Sequence, residues 1–464
     1  MITARRLQLD FADTWIDENV AGLWEIWMKE ADRALADDQL LDLVSEHLNR
    51  RCGKSKTRGR PAFPVEVILR MLLLKHLRHM SFATVAREVR GNLVYRQFTG
   101  IGGGKVPDEK TLGRVSRQLG PETMSKIQER MVEIARVQGV VKGRKMRLDT
   151  TVVETDIHYP TDSKLLNDGV RVLTREMKRL AEAVQTAVRD RTRSVKLRVL
   201  DIARASRDKS ERGKAKLESA YGKLLESAGR VVGQAKQISG RVAAAVAASG
   251  PEWADRPRRQ LDRMIPLMEQ VMRQTRERVM EGNTRAEGKI VSVFEPHTEV
   301  IRKGKASKPT EFGMLVLIQE AENQMVTGYE VYDRKPADSA LLIPAIERHI
   351  RLFGRAPRLV AADAGFFSAA NEKQAEKLGV ERVSIPHKAT KSADRLKKQK
   401  SRWFKKAQKW RTGCEGRISV LKRRHGLRRC LYQGPSGLRR WVAWGVIADN
   451  FTNIGCFLAA QRAQ

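Results

Sequence analysis

Apolar residues recur at helical spacing over most of the first 140 positions. Two short amphipathic patterns cover 20–34 and 39–48. From Pro64 onward, Val67, Ile68, Met71, Leu72, Leu74 and Leu77 predict a broad apolar helix with proline near its start. Ser81 is a candidate N-cap for a second helix, continued by Val85 and Val89 and closed by Gly91 and Asn92. Beyond Phe98 and a glycine-rich stretch at 100–104, Pro107 and Asp108 open a third helix displaying Thr111, Arg114, Arg117 and Gln118. A further helix covers 121–139. The texture then changes: residues 146–154 are rich in β-branched side chains and predict a strand with Asp149 in its middle.

From about 164 to 285 the chain turns helical again. Val170, Leu173, Met177, Leu180, Val184 and Val188 share one face, charged and Ala-rich segments run on to Ala248, and Pro251 and Pro257 interrupt before a last helix at 261–280. This is an all-α insertion, a helical hairpin or bundle. From 288 the pattern is β-rich, with short strands at 290–294, 314–318 and 328–332. A helix at 338–353, a buried strand at 358–363 ending in Asp363, a helix at 369–378, a strand at 382–385 and a basic stretch at 388–406 lead into a helix at 403–424. Without the insertion the order is β-β-β-α-β-α-β-α, which suits a mixed sheet flanked by helices. The fold class expected is α+β or α/β, with an all-α N-terminal domain. The expected domains are N-terminal helices at 1–52, a helical DNA-binding domain at 53–140, a catalytic domain of 141–163 with 288–464, and the insertion at 164–287.

Charge narrows the function. Across 464 residues, 89 Lys and Arg stand against 54 Asp and Glu, a formal charge of +35 that calls for a polyanionic partner. Nucleic acid is the economical candidate. No stretch approaches the roughly 18–20 continuous apolar residues of a membrane span, and the first residues lack a signal peptide's apolar core. A cytosolic location beside DNA or RNA follows. The single cysteines Cys52, Cys414, Cys430 and Cys456 form no CxxC pair, so neither a zinc site nor a disulfide framework is indicated. The run Lys54, Lys56, Arg58, Arg60 is either a phosphate-contacting arm or a solvated hinge. Helix, turn and helix ending on Arg114 and Arg117 is how many DNA-binding domains present a recognition helix, although a purely structural bundle has the same pattern.

Arg411, Glu415 and Lys422 recur at steps of four and seven, so at about 100° per residue they share one stripe of the last helix. A solvated i,i+4 ion pair is one explanation. The other is a carboxylate available to a divalent metal between two cations that hold phosphates. Asp149 in one strand, Asp363 at the end of another and Glu415 on this helix would converge at a sheet edge if the two strands are neighbours. Three hard oxygen donors suit a pair of Mg²⁺ ions. Asp156, Asp162 and Asp338 read as helix N-caps before metal ligands, and His158 and His297 as orienting or structural groups.

Asp149-Thr-Thr-Val-Val-Glu-Thr-Asp-Ile-His-Tyr-Pro-Thr-Asp, Glu295-Pro-His, Glu311-Phe-Gly, Ala362-Asp363-Ala-Gly-Phe and Arg411-x3-Glu415-x6-Lys422, in this order, resemble the DDE transposases of bacterial insertion sequences. Residues 60–120 resemble the helical N-terminal domain those enzymes often carry. The resemblance implies a ribonuclease-H-like core and an Asp149, Asp363, Glu415 triad that is both catalytic and metal-binding. It implies two Mg²⁺ ions, with Mn²⁺ as a substitute, and transposon-end DNA held by Arg411 and Lys422. Terminal inverted repeats would be bound, cleaved and joined to target DNA through a 3′-hydroxyl, by a homodimer on the bacterial nucleoid with no membrane partner. Two departures stand out: Gln408 occupies the slot of the family's tyrosine, and the insertion follows the first acid. A metal-dependent nuclease or recombinase without strand transfer, and a non-catalytic DNA-binding regulator, are the competing readings.

Overall fold

The computed structural model describes residues 11–20, 22–49, 63–182, 184–247, 254–302 and 309–464. The basic run from Lys54 to Arg60, Cys52 and Pro251 lie outside them. The described chain divides into two compact units, one within Met1–Thr155 and Lys303–Gln464, the other within Asp156–Arg302.

The first unit begins with helices α1 (Phe11–Val20), α2 (Ile26–Leu35), α3 (Asp38–Asn49), α4 (Val65–Leu77), α5 (Phe82–Gly91), α6 (Leu93–Phe98), α7 (Glu109–Gln118) and α8 (Pro121–Val137), followed by strand β1 (Lys145–Thr155). The expected caps form: the Ser81 hydroxyl accepts from the Thr84 amide at 2.9 Å, and Asp108 accepts from the Thr111 amide at 2.7 Å. Helix α6, capped by Asn92, intervenes between α5 and α7, so the expected simple helix-turn-helix is three helices instead.

The second unit holds α9 (Asp162–Leu180), α10 (Thr192–Ala205), α11 (Glu211–Ala247), α12 (Asp255–Met280) and the short strand β2 (Glu299–Arg302). The four helices bury one apolar cluster, including Leu173, Leu224, Ile238 and Met268. Three expectations change here. Val184 and Val188 lie beyond the end of α9, though both still pack on the cluster. Pro257 does not interrupt; it sits in the first turn of α12, where its missing N–H costs no helix bond, and Pro266 is carried inside. Residues 290–294 form no strand: Gln274 on α12 instead bonds the backbone of Ile290 through both its amide groups.

The first unit resumes with β3 (Thr310–Glu320), β4 (Val326–Tyr332), α13 (Leu342–Phe353), β5 (Leu359–Ala361), α14 (Ala369–Lys377), β6 (Arg382–Ser384), α15 (Ala393–Lys400), α16 (Arg402–Arg424), β7 (Arg429–Cys430) and α17 (Gly434–Arg462). Its sheet runs β3-β1-β5-β6, with β4 on β3 and β7 on β1. β3 is antiparallel to β1, while β5 and β7 are parallel to it, as the mixed sheet predicted. Strand alternation divides the sheet's faces. Met146 and Leu148 pack in one cluster with Leu342 and Ile346 of α13 and Ala375 of α14, whereas Val153, Met314 and Val316 pack with Leu421 of α16 and Val442 of α17.

Helix α17, absent from the sequence reading, is long and apolar enough to cross a bilayer, but most of its apolar window is buried. It is a core helix. Trp444 and Phe451 are fully buried in a cluster that draws on α2, α3, α4 and α8. Around it, Lys75 of α4 places its ammonium about 5 Å from the rings of Phe82, Tyr432 and Trp441. Burial pulls Lys75 down to about 8. It also drives His76, stacked on Trp444, well below the usual imidazole range, with Lys75 adding to the effect.

Two predictions follow from this packing. Arg417 and Asp449 form a buried pair at 2.5 Å, so Asp449→Ala leaves a desolvated guanidinium and lowers stability by about 3–5 kcal/mol in chemical denaturation. Lys75 is harder to protonate folded than unfolded, so its burial penalty is full below pH 8 and fades as pH rises toward the ordinary 10.5. Wild type therefore gains stability relative to Lys75→Met between those values, measured by thermal melts across pH.

Candidate active site

β1 carries Arg147 and Asp149 on the same face of the sheet, the face under α16. Parallel β1 and β5 pair as far as Arg147↔Ala361, and Asp149 and Asp363 each follow two residues beyond that pair. Asp363 lies just past β5, where its carboxylate accepts from the Gly365 amide at 2.9 Å and caps a 3-10 turn. Gly365 is narrowly enclosed. A Cβ there would stand 3.0 Å from Asp338 Oδ2 and 3.2 Å from Asp363 Oδ1, so glycine allows the two carboxylates to flank the backbone.

Helix α16 supplies the third acid. Arg411 reaches Asp149 Oδ2 at 3.5 Å and Glu415 Oε1 at 2.9 Å, bridging two of the three acids with one guanidinium. Its side chain and that of Asp149 are mostly covered, whereas Glu415 is exposed. Asp149 also accepts from the Thr150 amide at 2.7 Å. Among the described residues, no three His, Cys, Asp or Glu side chains are gathered as a ready-made metal cluster. The donor set nevertheless fits a hard cation: the acids offer only carboxylate oxygens, and two of them already face one positive group.

What holds α16 here is a buried network. Arg147 donates from Nε to Glu320 Oε2 at 2.8 Å, and its other nitrogens reach Glu320 Oε1 and the Trp410 carbonyl. The Trp410 ring covers the guanidinium at 4.9 Å, which keeps that aromatic group inward. Burial raises the Glu320 carboxyl, with Arg147 opposing. Burial also lifts the Cys414 thiol well above its usual range, helped by Glu320 and Asp149, so this cysteine stays protonated. Gln408 donates to the Ser384 carbonyl at 2.7 Å and the Ala362 carbonyl at 3.3 Å, tying α16 to the ends of β5 and β6. The family's tyrosine slot thus holds a helix anchor.

Other expected residues lie elsewhere. Arg114 and Arg117 are exposed on α7, and Lys422 is partly buried seven residues beyond Glu415. The caps expected of Asp162 and Asp338 are one residue off. Thr161 caps α9 while Asp162 pairs with Arg278, and Asp338 is the first residue of a 3-10 turn whose N-cap is Ala337. Asp156 follows the end of β1 and caps no described helix. In the second unit, His158 and His297 each lie 3.5 Å from a carboxylate, Asp168 and Glu295. Arg147 and Glu320 were not anticipated, and Gln408 was read only as a departure at the tyrosine slot, not as an anchor for α16. The one signal in the sequence was the alternation that aligns Arg147 with Asp149.

Two family models match the chain: Transposase domain (DUF772) over residues 29–118 and Transposase DDE domain over residues 286–451. The chain is a DDE transposase. Asp363, Arg411, Glu415 and Lys422 fall within the second match, and Asp149 lies between the two. The transposase's mixed sheet and flanking helices accord with the ribonuclease-H-like fold that the DDE domain implies. No curated protein and no solved structure matches it.

In the transposase, a Cβ on residue 413 would stand 3.0 Å from the Arg147 guanidinium carbon and closer still to one of its nitrogens. Gly413→Ala therefore pushes α16 or Arg147 out of place. The expected result is a loss of about 1–3 kcal/mol in thermal or chemical unfolding and a fall in DNA cleavage beyond what reduced folding explains.

Proposed function

We propose that this transposase binds the terminal inverted repeats of its own element, cleaves the DNA ends and joins the 3′-hydroxyl to target DNA. Asp149, Asp363 and Glu415 are the catalytic and metal-holding acids in this reading. What supports it is the parallel pairing of β1, which holds Asp149, with β5, just beyond whose end Asp363 lies, together with Arg411 bridging Asp149 to Glu415.

Two Mg²⁺ ions, or Mn²⁺ in their place, would be held by these acids, and when bound would stabilise the attacking and leaving oxygens of an in-line phosphoryl transfer. The chain's own residues do the rest. The Arg147–Glu320 pair and Gln408 hold α16, the helix that carries Arg411 and Glu415, against the sheet. Arg411, drawn toward a DNA phosphate, gives up its carboxylate contacts and exchanges one anionic partner for another. Lys422 holds a neighbouring phosphate on the same stripe, while Arg114 and Arg117 on α7 contact DNA within a helical region at 53–140. The helices at 164–287 form an insertion into a catalytic domain of 141–163 and 288–464. Two ends handled together call for a homodimer acting on DNA in the bacterial cytoplasm.

A labelled duplex carrying the element's ends, incubated with Mg²⁺, tests this. Joined products support the proposal. Hydrolysis alone makes the protein a nuclease, and metal-independent binding alone makes it a regulator. Asp149→Ala abolishes cleavage and joining while leaving duplex affinity nearly unchanged; full activity in that variant refutes the assignment of the acids.

A further inference from the structure

A cavity of about 650 Å³ opens in the first unit between the α4–α5 turn and the end of α16 with β7. One wall carries Lys422, Arg423, Arg428 and Arg429, and the other carries His79 and Ser81. No aspartate or glutamate is among its lining residues. A concave surface of one charge sign over apolar walls focuses an electrostatic field, and the ligand this selects is an anion. Arg429 pairs with Glu154 at 3.7 Å and Arg423 donates from Nε to the Ser419 carbonyl at 3.4 Å, while Arg423 and Arg428 are both exposed.

The groove is held in shape before any ligand arrives. His79 adopts a left-handed backbone conformation, φ 52°, uncommon for a non-glycine residue, and its ring bonds the Arg424 carbonyl at the end of α16. The aromatic rings around Lys75 join the same two walls from below, because Phe82 follows α4 while Tyr432 and Trp441 come from the far end of the chain.

Its position gives the anion an identity. Lys422 lies on the Arg411–Glu415 stripe, about 10 Å further along the helix axis at 1.5 Å per residue. At the other end, Phe82 lines the groove and also approaches Gly113 of α7, where the Arg117 guanidinium lies close by. The groove therefore adjoins both places where DNA contact is proposed, the α7 arginines and the acids' helix.

Resting on the function proposed above, we infer that this groove seats the phosphodiester backbone of DNA running between α7 and the acids. Arg423 and Arg428 are new phosphate contacts, and His79 positions the wall opposite them. The contacts follow backbone geometry, so they add affinity and register without reading bases.

The test measures duplex affinity of the full-length protein across salt concentrations without divalent metal, so it is independent of cleavage. Each lost phosphate contact removes about 0.9 from the slope of log K against log salt. Arg423→Ala with Arg428→Ala should lower that slope by about 1.8 while the melting temperature stays unchanged, and the double Arg→Lys variant should restore it. An unchanged slope in the folded alanine variant overturns the inference, as does an equal loss in the lysine variant, which would mark a structural role. Saturable binding of inorganic pyrophosphate, lost in the alanine variant while the duplex slope holds, assigns the groove to a small phosphate ligand and also overturns it. Failure of the proposed assignment of the acids would show separately, as Asp149→Ala protein that still cleaves.

Discussion

The site depends on one buried ion pair. Arg147 and Glu320 face each other across antiparallel β1 and β3, and the guanidinium has a nitrogen left for the Trp410 carbonyl. Taking both charges out of water is costly, and burial raises the Glu320 carboxyl even with Arg147 beside it. What the pair contributes is placement. A guanidinium with several fixed donors can bind a carboxylate and a helix carbonyl together, which an apolar side chain cannot do. The helix that carries Glu415 is thereby fixed to the strand that carries Asp149.

The same device recurs further along α16. Arg417 bonds Asp449 of α17 and reaches Gln324 beside β4, while His425 lies 3.4 Å from Asp449. Asn450 of α17 adds a two-way bond with the Val326 backbone. α16 is thus keyed to the sheet on one side and to the core helix on the other by directional contacts. Apolar packing alone would permit it to slide by a turn.

Much of this was legible in the sequence, and the failures have physical causes. β1, α5, α7 and α16 were readable because their signals are local: β-branched runs, caps such as Ser81 and Asp108, and a proline-free helical stripe. From the sequence, the approach of Asp149 to Asp363 depended on β1 and β5 being neighbours, and those two strands do pair. Residues 290–294 misled because an apolar alternation resembles a strand even where Gln274 occupies its backbone groups. α17 was missed because a helix buried on nearly all sides has little amphipathic contrast. Arg147, Glu320 and Gln408 act through partners far away in sequence, and one chain carries no record of such partners.

The place of α17 has a bearing on biosynthesis. Its Trp444 and Phe451 complete a core whose other walls are the first helices of the chain, so those helices emerge from the ribosome long before the surface that covers them. Until α17 is translated, the apolar sides of α2, α4 and α8 lack that cover. Closure of this core therefore waits for α17, and helices far apart in the chain complete it together.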